Sequence, residues 1–169
     1  KEAPSLYSQQ EQKKYLQPLL HTTATLHQKD KTTIIGIQGG QGTGKTTLVK
    51  FLQDALTQSG YSAESFSIDD FYTSCHERQQ LALKYPDNSF YQISRGMPGT
   101  HRVKELMQTL KNIKVGKHFM IPFFDKSLHN ARGDIAGEKI ITKKIDFLLF
   151  EGWCVGLPLI SEKELQRIC

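Results

Sequence analysis

The chain has 169 residues, of which 38% are apolar and 23% charged, with 13 glycines and 6 prolines. This composition excludes collagen-like, low-complexity and wholly disordered chains, and the length suits one domain with its own core. Lys and Arg outnumber Asp and Glu by 22 to 17, which gives a formal net charge of +5. Because these charges are spread along the chain, we expect a mixed-sign surface and do not expect nucleic acid as a partner.

Targeting and metal signals are weak. No apolar run approaches the roughly 18 residues of a membrane span, and the run at 147–150 is bounded on both sides by acidic residues. The amino end lacks an apolar signal core, so we expect a cytoplasmic protein without membrane contact. Neither a disulfide framework nor a zinc site is predicted, because the six histidines show no HxxxH or HxH pairing and no CxxC spacing joins the three cysteines, Cys75, Cys154 and Cys169.

The first sixty residues predict a helix, a strand and a second helix. Residues 8–20 place apolar side chains at near-helical spacing, which predicts an amphipathic helix that braces the first strand. Residues 32–38 are β-branched and run into a glycine-rich turn, after which a helical pattern continues until Ser59 and Gly60. We expect a single domain over 1–169, with 1–30 as an N-terminal helical extension.

The rest of the chain continues this alternation. The predicted elements, in chain order, are a strand at 62–68, a surface helix at 75–85, a helix near 100–116 capped by Thr100, a strand at 119–124, a polar loop at 125–137 and a strand at 145–150. Alternating strands and helices predict an α/β fold, with a mostly parallel sheet covered by helices on both faces. Ligands of such sheets bind outside the carboxyl ends of the strands. A loop as long as the predicted one is usually functional.

The strongest motif lies between the first strand and its helix. Residues 39–46 read Gly-Gly-Gln-Gly-Thr-Gly-Lys-Thr and satisfy the GxxxxGK(S/T) pattern of a phosphate loop (P-loop), which predicts a P-loop NTPase fold. The glycines let backbone amides approach phosphate oxygens, Lys45 adds a full charge, and the Thr46 hydroxyl is placed for Mg²⁺. The predicted nucleotide-binding residues are Gly39, Gly40, Gln41, Gly42, Thr43, Gly44, Lys45, Thr46 and Thr47.

Acidic residues end two predicted strands at the same edge of the sheet. Asp69 and Asp70 follow the second strand, and Glu151 follows the strand at 145–150. A carboxylate near the γ-phosphate can accept the proton of an alcohol, which is worth about 10²- to 10⁴-fold in rate. Glu151 would organise Mg²⁺ together with Thr46. Helix capping by Asp70 and simple exposure of the strand ends stay open as alternatives.

Two polar segments carry further candidate residues. Residues 95–102 combine turn-forming residues with two guanidiniums and an imidazole, which is typical of a loop that closes over an anion. A purely structural loop before the next helix is the alternative. Residues 125–127 and 132–134 have similar chemistry. Trp153 is interpreted as a core aromatic residue, with a platform for base stacking as the alternative.

These motifs, in this order, resemble the D-glycerate 3-kinase group of phosphate-loop kinases, which sit beside phosphoribulokinase, uridine kinase and bacterial pantothenate kinase. The resemblance covers about residues 34–159 and rests on the phosphate loop and on residues 67–72, 95–101, 124–134 and 150–153. It implies ATP as donor, Mg²⁺ as cofactor and a small acceptor, with glycerate expected. It further implies catalytic roles for Asp69 and Lys45, metal contacts from Thr46, Glu151 and Asp69, and acceptor contacts from Asp70, Tyr72, Arg95, His101 and Lys126.

The chain departs from the pattern of that group at three positions. Arg102 stands where the group has Asp, Ala131 where its loop has the first Gly, and Ile135 where it has the last Arg. All three changes bear on acceptor binding. We also expect the C-terminal lid of such kinases to lie beyond residues 1–169. The open alternatives are a uridine or pantothenate kinase-like enzyme, a nucleotide switch or nucleic-acid-linked ATPase, and a protein that binds nucleotide without kinase activity.

Overall fold

The computed structural model describes residues 7–92, 95–158 and 161–168, which form two sheets with helices around them. The strands are β1 (Thr33–Gln38), β2 (Ala63–Ser67), β3 (Phe119–Asp125), β4 (Asp134–Ile141) and β5 (Phe147–Gly152). The helices are α1 (Gln9–Glu11), α2 (Gln17–Thr25), α3 (Lys45–Gln58), α4 (Cys75–Lys84), α5 (Ser89–Gln92), α6 (Val103–Lys114), α7 (Leu128–Ala131) and α8 (Glu162–Ile168). A π-helical segment (Gln12–Leu16) joins α1 to α2, and a 3₁₀ turn (Ile68–Phe71) follows β2.

The main sheet is parallel, with β5 between β1 and β2. The central strand is the most apolar one, and its residues Phe147, Leu148 and Leu149 are fully buried. Because parallel neighbours need crossover connections, both faces of the sheet become covered. One core cluster joins the sheet to α3, and a second joins it to α6 and the β3–β4 hairpin. The predicted α/β fold is confirmed.

The N-terminal helical segment packs mainly on α3. Leu16 is buried, Leu20 packs against the core cluster of α3, and the rings of Tyr7 and Phe51 form a T-shaped pair with their centroids 6.0 Å apart. The segment also contacts β1, because the Thr33 hydroxyl donates a hydrogen bond of 3.0 Å to the carbonyl of Leu26, the C-cap of α2. The extension therefore stabilises the helix behind the phosphate loop.

The β3–β4 hairpin corrects the prediction for residues 119–137. The strand at 119–124 lies outside the parallel sheet and pairs antiparallel with β4, with a register shift between Phe123 and Phe124. The loop prediction at 125–137 is wrong for its last residues, because β4 begins at Asp134. Most of β4 is exposed, so its sequence lacks the apolar pattern by which strands are recognised.

Three smaller points follow from the described residues. Thr100 does not cap α6, because Arg102 occupies the N-cap and the buried Thr100 hydroxyl donates to the Met97 carbonyl at 2.6 Å. Cys75 and Cys154 are free thiols, while Cys169 lies outside the described residues. No helix within 7–92, 95–158 or 161–168 has the length and apolar character that a membrane crossing requires.

Candidate active site

The phosphate loop joins β1 to α3 at the carboxyl edge of the main sheet. Gly42 and Gly44 adopt left-handed backbone angles, with φ of +71° and +84°, which explains why glycine is needed at these turns. The Lys45 ammonium donates to the Gly40 carbonyl at 2.7 Å, and the Thr43 hydroxyl donates to the same oxygen at 2.8 Å. The side chain of Lys45, the first residue of α3, therefore extends back over the phosphate loop.

A hydroxyl and a carboxylate meet beside this loop. The Thr46 hydroxyl donates to Glu151 Oε1 at 2.7 Å, and Glu151 is only 5% exposed at the tip of β5. Hydroxyl and carboxylate oxygens are ligands that Mg²⁺ prefers, so this pair fits the ion. No group of three or more His, Cys, Asp or Glu side chains within the described ranges is arranged to hold a metal. Phosphate and water oxygens would therefore have to complete the coordination.

Asp69 lies on the 3₁₀ turn after β2 and has a cation and a phenol as neighbours. Its Oδ2 accepts a hydrogen bond from the Lys126 ammonium at 2.7 Å. Burial, together with the negative charge of Asp69 and a hydrogen bond to it, raises the pKa of Tyr72 far above its usual value. Tyr72 is therefore a neutral phenol at physiological pH. The fold brings these three predicted residues together.

Asp70 is oriented differently from its neighbour. Its Oδ2 accepts from the Ser67 amide at 2.8 Å, and the Ser67 hydroxyl accepts from the Asp69 amide at 3.2 Å, which forms a capping box. Burial raises the pKa of the Asp70 carboxyl, although backbone hydrogen bonds from Ser67 and Phe124 oppose this shift. The capping alternative that the sequence left open is thus the contact seen for Asp70.

Arg95 and His101 take different places around the cleft. Arg95 donates to the Ala131 carbonyl at 2.7 Å and so ties its own loop to the turn after β3. The His101 ring stacks on Tyr72, with centroids 4.1 Å apart, and is not among the residues that line the cleft. Burial lowers the pKa of His101 while the charge of Asp69 opposes the shift, and His101 Nε2 is buried without a partner among the described residues.

A single cleft of about 1290 Å³ collects most of the predicted residues. It lies at the carboxyl ends of β1, β5 and β2. The predicted residues that line it are Gly40, Gln41, Gly42, Lys45, Thr46, Asp69, Asp70, Tyr72, Arg95, Lys126 and Glu151. Those that do not line it are Gly39, Thr43, Gly44, Thr47 and His101. Most of the predicted nucleotide and acceptor residues therefore share one continuous space.

Some residues of this region were missed or misread from the sequence. Trp153 is 50% exposed and lines the cleft, so its interpretation as a core residue is wrong. Arg78 is only 6% exposed, and its guanidinium donates to the carbonyls of Thr73, Arg132 and Gly133. This contact joins the start of α4 to the turn before β4. The position of Arg78 in a polar helix gives no signal that it is buried.

The comparisons with known proteins agree with this geometry. Residues 34–157 match the family described as "Phosphoribulokinase / Uridine kinase family". An uncharacterized kinase of Schizosaccharomyces pombe is 41% identical over 135 residues, which are 76% of this chain and 48% of the relative. The chloroplastic D-glycerate 3-kinase of Arabidopsis thaliana is 32% identical over 137 residues, which are 76% of this chain and 30% of that enzyme.

A solved structure gives the same result. The D-glycerate 3-kinase from Cryptococcus neoformans aligns with a TM-score of 0.69 and 28% identity, over 94% of this chain and 56% of that one. The chain thus spans about half or less of the length of the curated relatives it matches first. The family and its fold are those that the sequence motifs resemble.

Proposed function

Because the chain belongs to the phosphoribulokinase and uridine kinase family, we propose that it is an ATP-dependent kinase that phosphorylates a hydroxyl of a small acid, D-glycerate. The observation that carries the proposal is the shared cleft. Lys45, Thr46 and Glu151 line it together with Asp69, whose carboxylate interacts with Lys126 and Tyr72. The two relatives named D-glycerate 3-kinase support glycerate as the acceptor.

The donor side binds the triphosphate. Loop amides and the Lys45 ammonium would hold the phosphate oxygens, with the ammonium leaving the Gly40 carbonyl for a stronger anionic partner. Thr46 and Glu151 would hold Mg²⁺, and the metal contact predicted for Asp69 remains a prediction. When bound, Mg²⁺ neutralises charge on the terminal phosphates.

The acceptor side orients and deprotonates the alcohol. Asp69 accepts the hydroxyl proton while the hydroxyl oxygen bonds to the γ-phosphorus, and the bond to the β–γ bridging oxygen breaks, which releases ADP. The Lys126 ammonium pairs with the Asp69 carboxylate at 2.7 Å and so orients it. Arg95 and Lys126 supply positive charge for the acceptor's carboxylate, and the Tyr72 phenol is a hydrogen-bond donor. The acceptor contacts predicted for Asp70 and His101 remain predictions.

The setting of the activity is also a proposal. We place the enzyme in the cytoplasm, where free thiols such as Cys75 and Cys154 persist. We treat 1–169 as one kinase domain and 1–30 as its helical extension. Fractionation of cells that express the tagged complete protein tests the location, since recovery in an organelle fraction would contradict it.

The test is an acceptor panel with the complete protein, ATP and Mg²⁺. ADP release should require D-glycerate, and uridine and pantothenate should give little. Asp69→Asn should lower kcat by about 10²- to 10⁴-fold and leave ATP affinity nearly unchanged. Asp54→Asn is the matched control, because this carboxylate lines the same cleft on α3.

Each alternative outcome has a distinct meaning. Turnover with uridine alone would move the acceptor to a nucleoside and overturn glycerate. ATP hydrolysis stimulated only by DNA or RNA, or ATP binding without transfer to any acceptor, would overturn the kinase proposal. Equal kcat values for Asp69→Asn and the wild type would remove Asp69 as the base.

A further inference from the structure

One residue contacts three consecutive carbonyls of the turn that follows β2. The Arg102 amide donates to the Phe71 carbonyl at 2.7 Å. From the same residue, Nε donates to the Tyr72 carbonyl at 3.2 Å and Nη2 to the Asp70 carbonyl at 3.4 Å. The backbone of this turn, which also carries Asp69, is therefore held by a residue some thirty positions away in the sequence.

The chemistry of the turn explains why arginine suits this position. The last carbonyls of a 3₁₀ turn lack partners within it and carry partial negative charge, which a cation stabilises. Guanidinium presents several donors in a fixed plane, so a single side chain serves two carbonyls at once. Glu105 accepts from Nη1 at 2.6 Å, and the two side chains are only 20% and 33% exposed. Arg102 is therefore fixed in orientation.

Other contacts hold the next residues of the same segment. The Thr73 amide donates to the Thr100 carbonyl at 2.9 Å, and Tyr72 pairs with His101 through the backbone and through ring stacking. These contacts, and the hydrogen bond from the Arg102 amide, are kept with any side chain at position 102 except proline, which lacks the amide hydrogen. The carbonyls of Asp70 and Tyr72 and the Glu105 carboxylate would each lose the donor that the Arg102 side chain supplies. A substitution at 102 thus loosens the turn without removing its attachment.

We propose that Arg102 is a positioning residue that holds the 69–72 turn so that the Asp69 carboxylate and the Tyr72 phenol face the acceptor. The inference rests on the proposed function, because it assigns Arg102 an effect on turnover through Asp69. Arg102 is not among the residues that line the cleft, so its side chain acts through the turn and not on substrate.

The experiment compares Arg102→Ala and Arg102→Lys with Lys104→Ala in the complete protein. Lys104 is exposed near the start of the same helix, so its variant removes one positive charge without touching the turn. Arg102→Ala should lower kcat by about 10- to 100-fold, since small misplacements of a reacting group have effects of this size. ATP affinity should stay within about twofold of the wild type, because the phosphate loop is not touched.

The conservative variant separates positioning from stability. Lysine can still donate to one of the two carbonyls, so Arg102→Lys should recover part of the lost kcat. A kcat of Arg102→Ala within about twofold of Lys104→Ala would overturn the proposal. The proposal would also be overturned if the loss of kcat in Arg102→Ala were fully explained by a smaller fraction of folded protein. If Arg102→Ala does not fold, Arg102→Lys decides, with a lowered kcat at unchanged melting temperature supporting the proposal and an unchanged kcat overturning it.

A second readout does not depend on activity. If the wild type transfers no phosphoryl group, the proposed function fails, but amide hydrogen exchange still tests the turn. The Tyr72 amide donates to the Asp69 carbonyl at 3.2 Å. It should exchange faster in the Arg102 variants than in Lys104→Ala. Equal exchange would show that Arg102 does not hold the turn.

Discussion

The two halves of the cleft are built in different ways. The nucleotide half, which we propose binds ATP, is one continuous segment at 39–47 that runs into α3, together with the tip of the neighbouring strand β5. The acceptor half, which we propose binds the acceptor, is assembled from three turns, at 68–73, 95–102 and 125–134, that are far apart in the sequence. The turn at 95–102 leads into α6, and the turn at 125–134 joins β3 to β4. Both therefore lie outside the main sheet.

Arginines join the three turns of the acceptor half. Arg78, Arg95 and Arg102 each donate to backbone carbonyls of a distant segment. The shape of the nucleotide half is thus a property of its own motif, while the shape of the acceptor half depends on a few long-range cations. We infer that substitutions in the acceptor half change acceptor use and stability while leaving nucleotide binding intact.

The largest expected effect breaks the nucleotide half. Lys45→Ala should weaken ATP binding by about 100-fold, or about 3 kcal/mol, because it removes a charged donor to phosphate oxygens. Titration calorimetry measures the loss. Lys50→Ala is the control, since Lys50 lies on the same helix and lines the same cleft. A changed KM for the acceptor with unchanged ATP affinity would contradict the division into halves.

Gly133→Ala should break the acceptor half. Gly133 has φ of +74°, and a Cβ at this position would clash with the Phe124 ring. The left-handed backbone and the clash together should lower the free energy of unfolding by about 3 kcal/mol. Chemical denaturation measures this loss, and the variant that remains folded should bind ATP normally.

The matched control for that substitution is Gly116→Ala. Gly116 has φ of +68°, and a Cβ there would meet nothing within 4 Å. It therefore isolates the backbone contribution, which we expect to be about 1 kcal/mol. Equal losses at the two glycines would mean that the Phe124 contact contributes nothing to the acceptor half.

The same contrast explains how far the sequence predicts the site. The phosphate loop and the acidic end of β5 follow from local pattern, because strand, turn and helix signals all lie within a short window. Arg78 and the β3–β4 hairpin do not, because burial of a helical arginine and pairing of a polar strand are decided by tertiary contacts.

Two of the three departures from the kinase pattern have a physical meaning in the fold. Arg102 replaces an expected carboxylate, yet its side chain donates to two carbonyls of the turn that carries Asp69, which an ionised aspartate side chain cannot do. Ala131 replaces an expected glycine at a position where φ is +64°. The sequence shows at which positions the acceptor half departs from the kinase pattern. It does not show that Arg102 adds hydrogen bonds, or that Ala131 adds backbone strain. Nothing in the structure explains Ile135.

Ala131→Gly should therefore stabilise the acceptor half. A left-handed backbone angle disfavours alanine relative to glycine, so the free energy of unfolding should rise by about 1 kcal/mol. The Ala131 carbonyl that accepts from Arg95 is kept. Ala55→Gly in α3 is the control with opposite sign, because glycine destabilises a helix interior by about 1 kcal/mol. A stability loss at both positions would contradict the strain at Ala131.

The smallest expected effect is a pH dependence of stability that comes from His101, in the acceptor half. Burial lowers the pKa of His101 in the folded protein, although the charge of Asp69 opposes the shift. The unfolded chain therefore takes up a proton near pH 6.5 before the folded one does, and stability falls as pH drops through this range. His101→Phe keeps the aromatic stack on Tyr72 and removes the titration, so its stability should fall less between pH 7.5 and 5.5.

Denaturation curves at these two pH values measure the difference in slope between the wild type and His101→Phe. His118→Gln is the control, because it removes an exposed imidazole and leaves the stack of His101 on Tyr72 in place. The same difference should persist in the Lys45→Ala background, since the titration belongs to the acceptor half and does not involve the phosphate loop. Parallel pH profiles for the wild type and His101→Phe would show that His101 is not held neutral by its burial behind Tyr72.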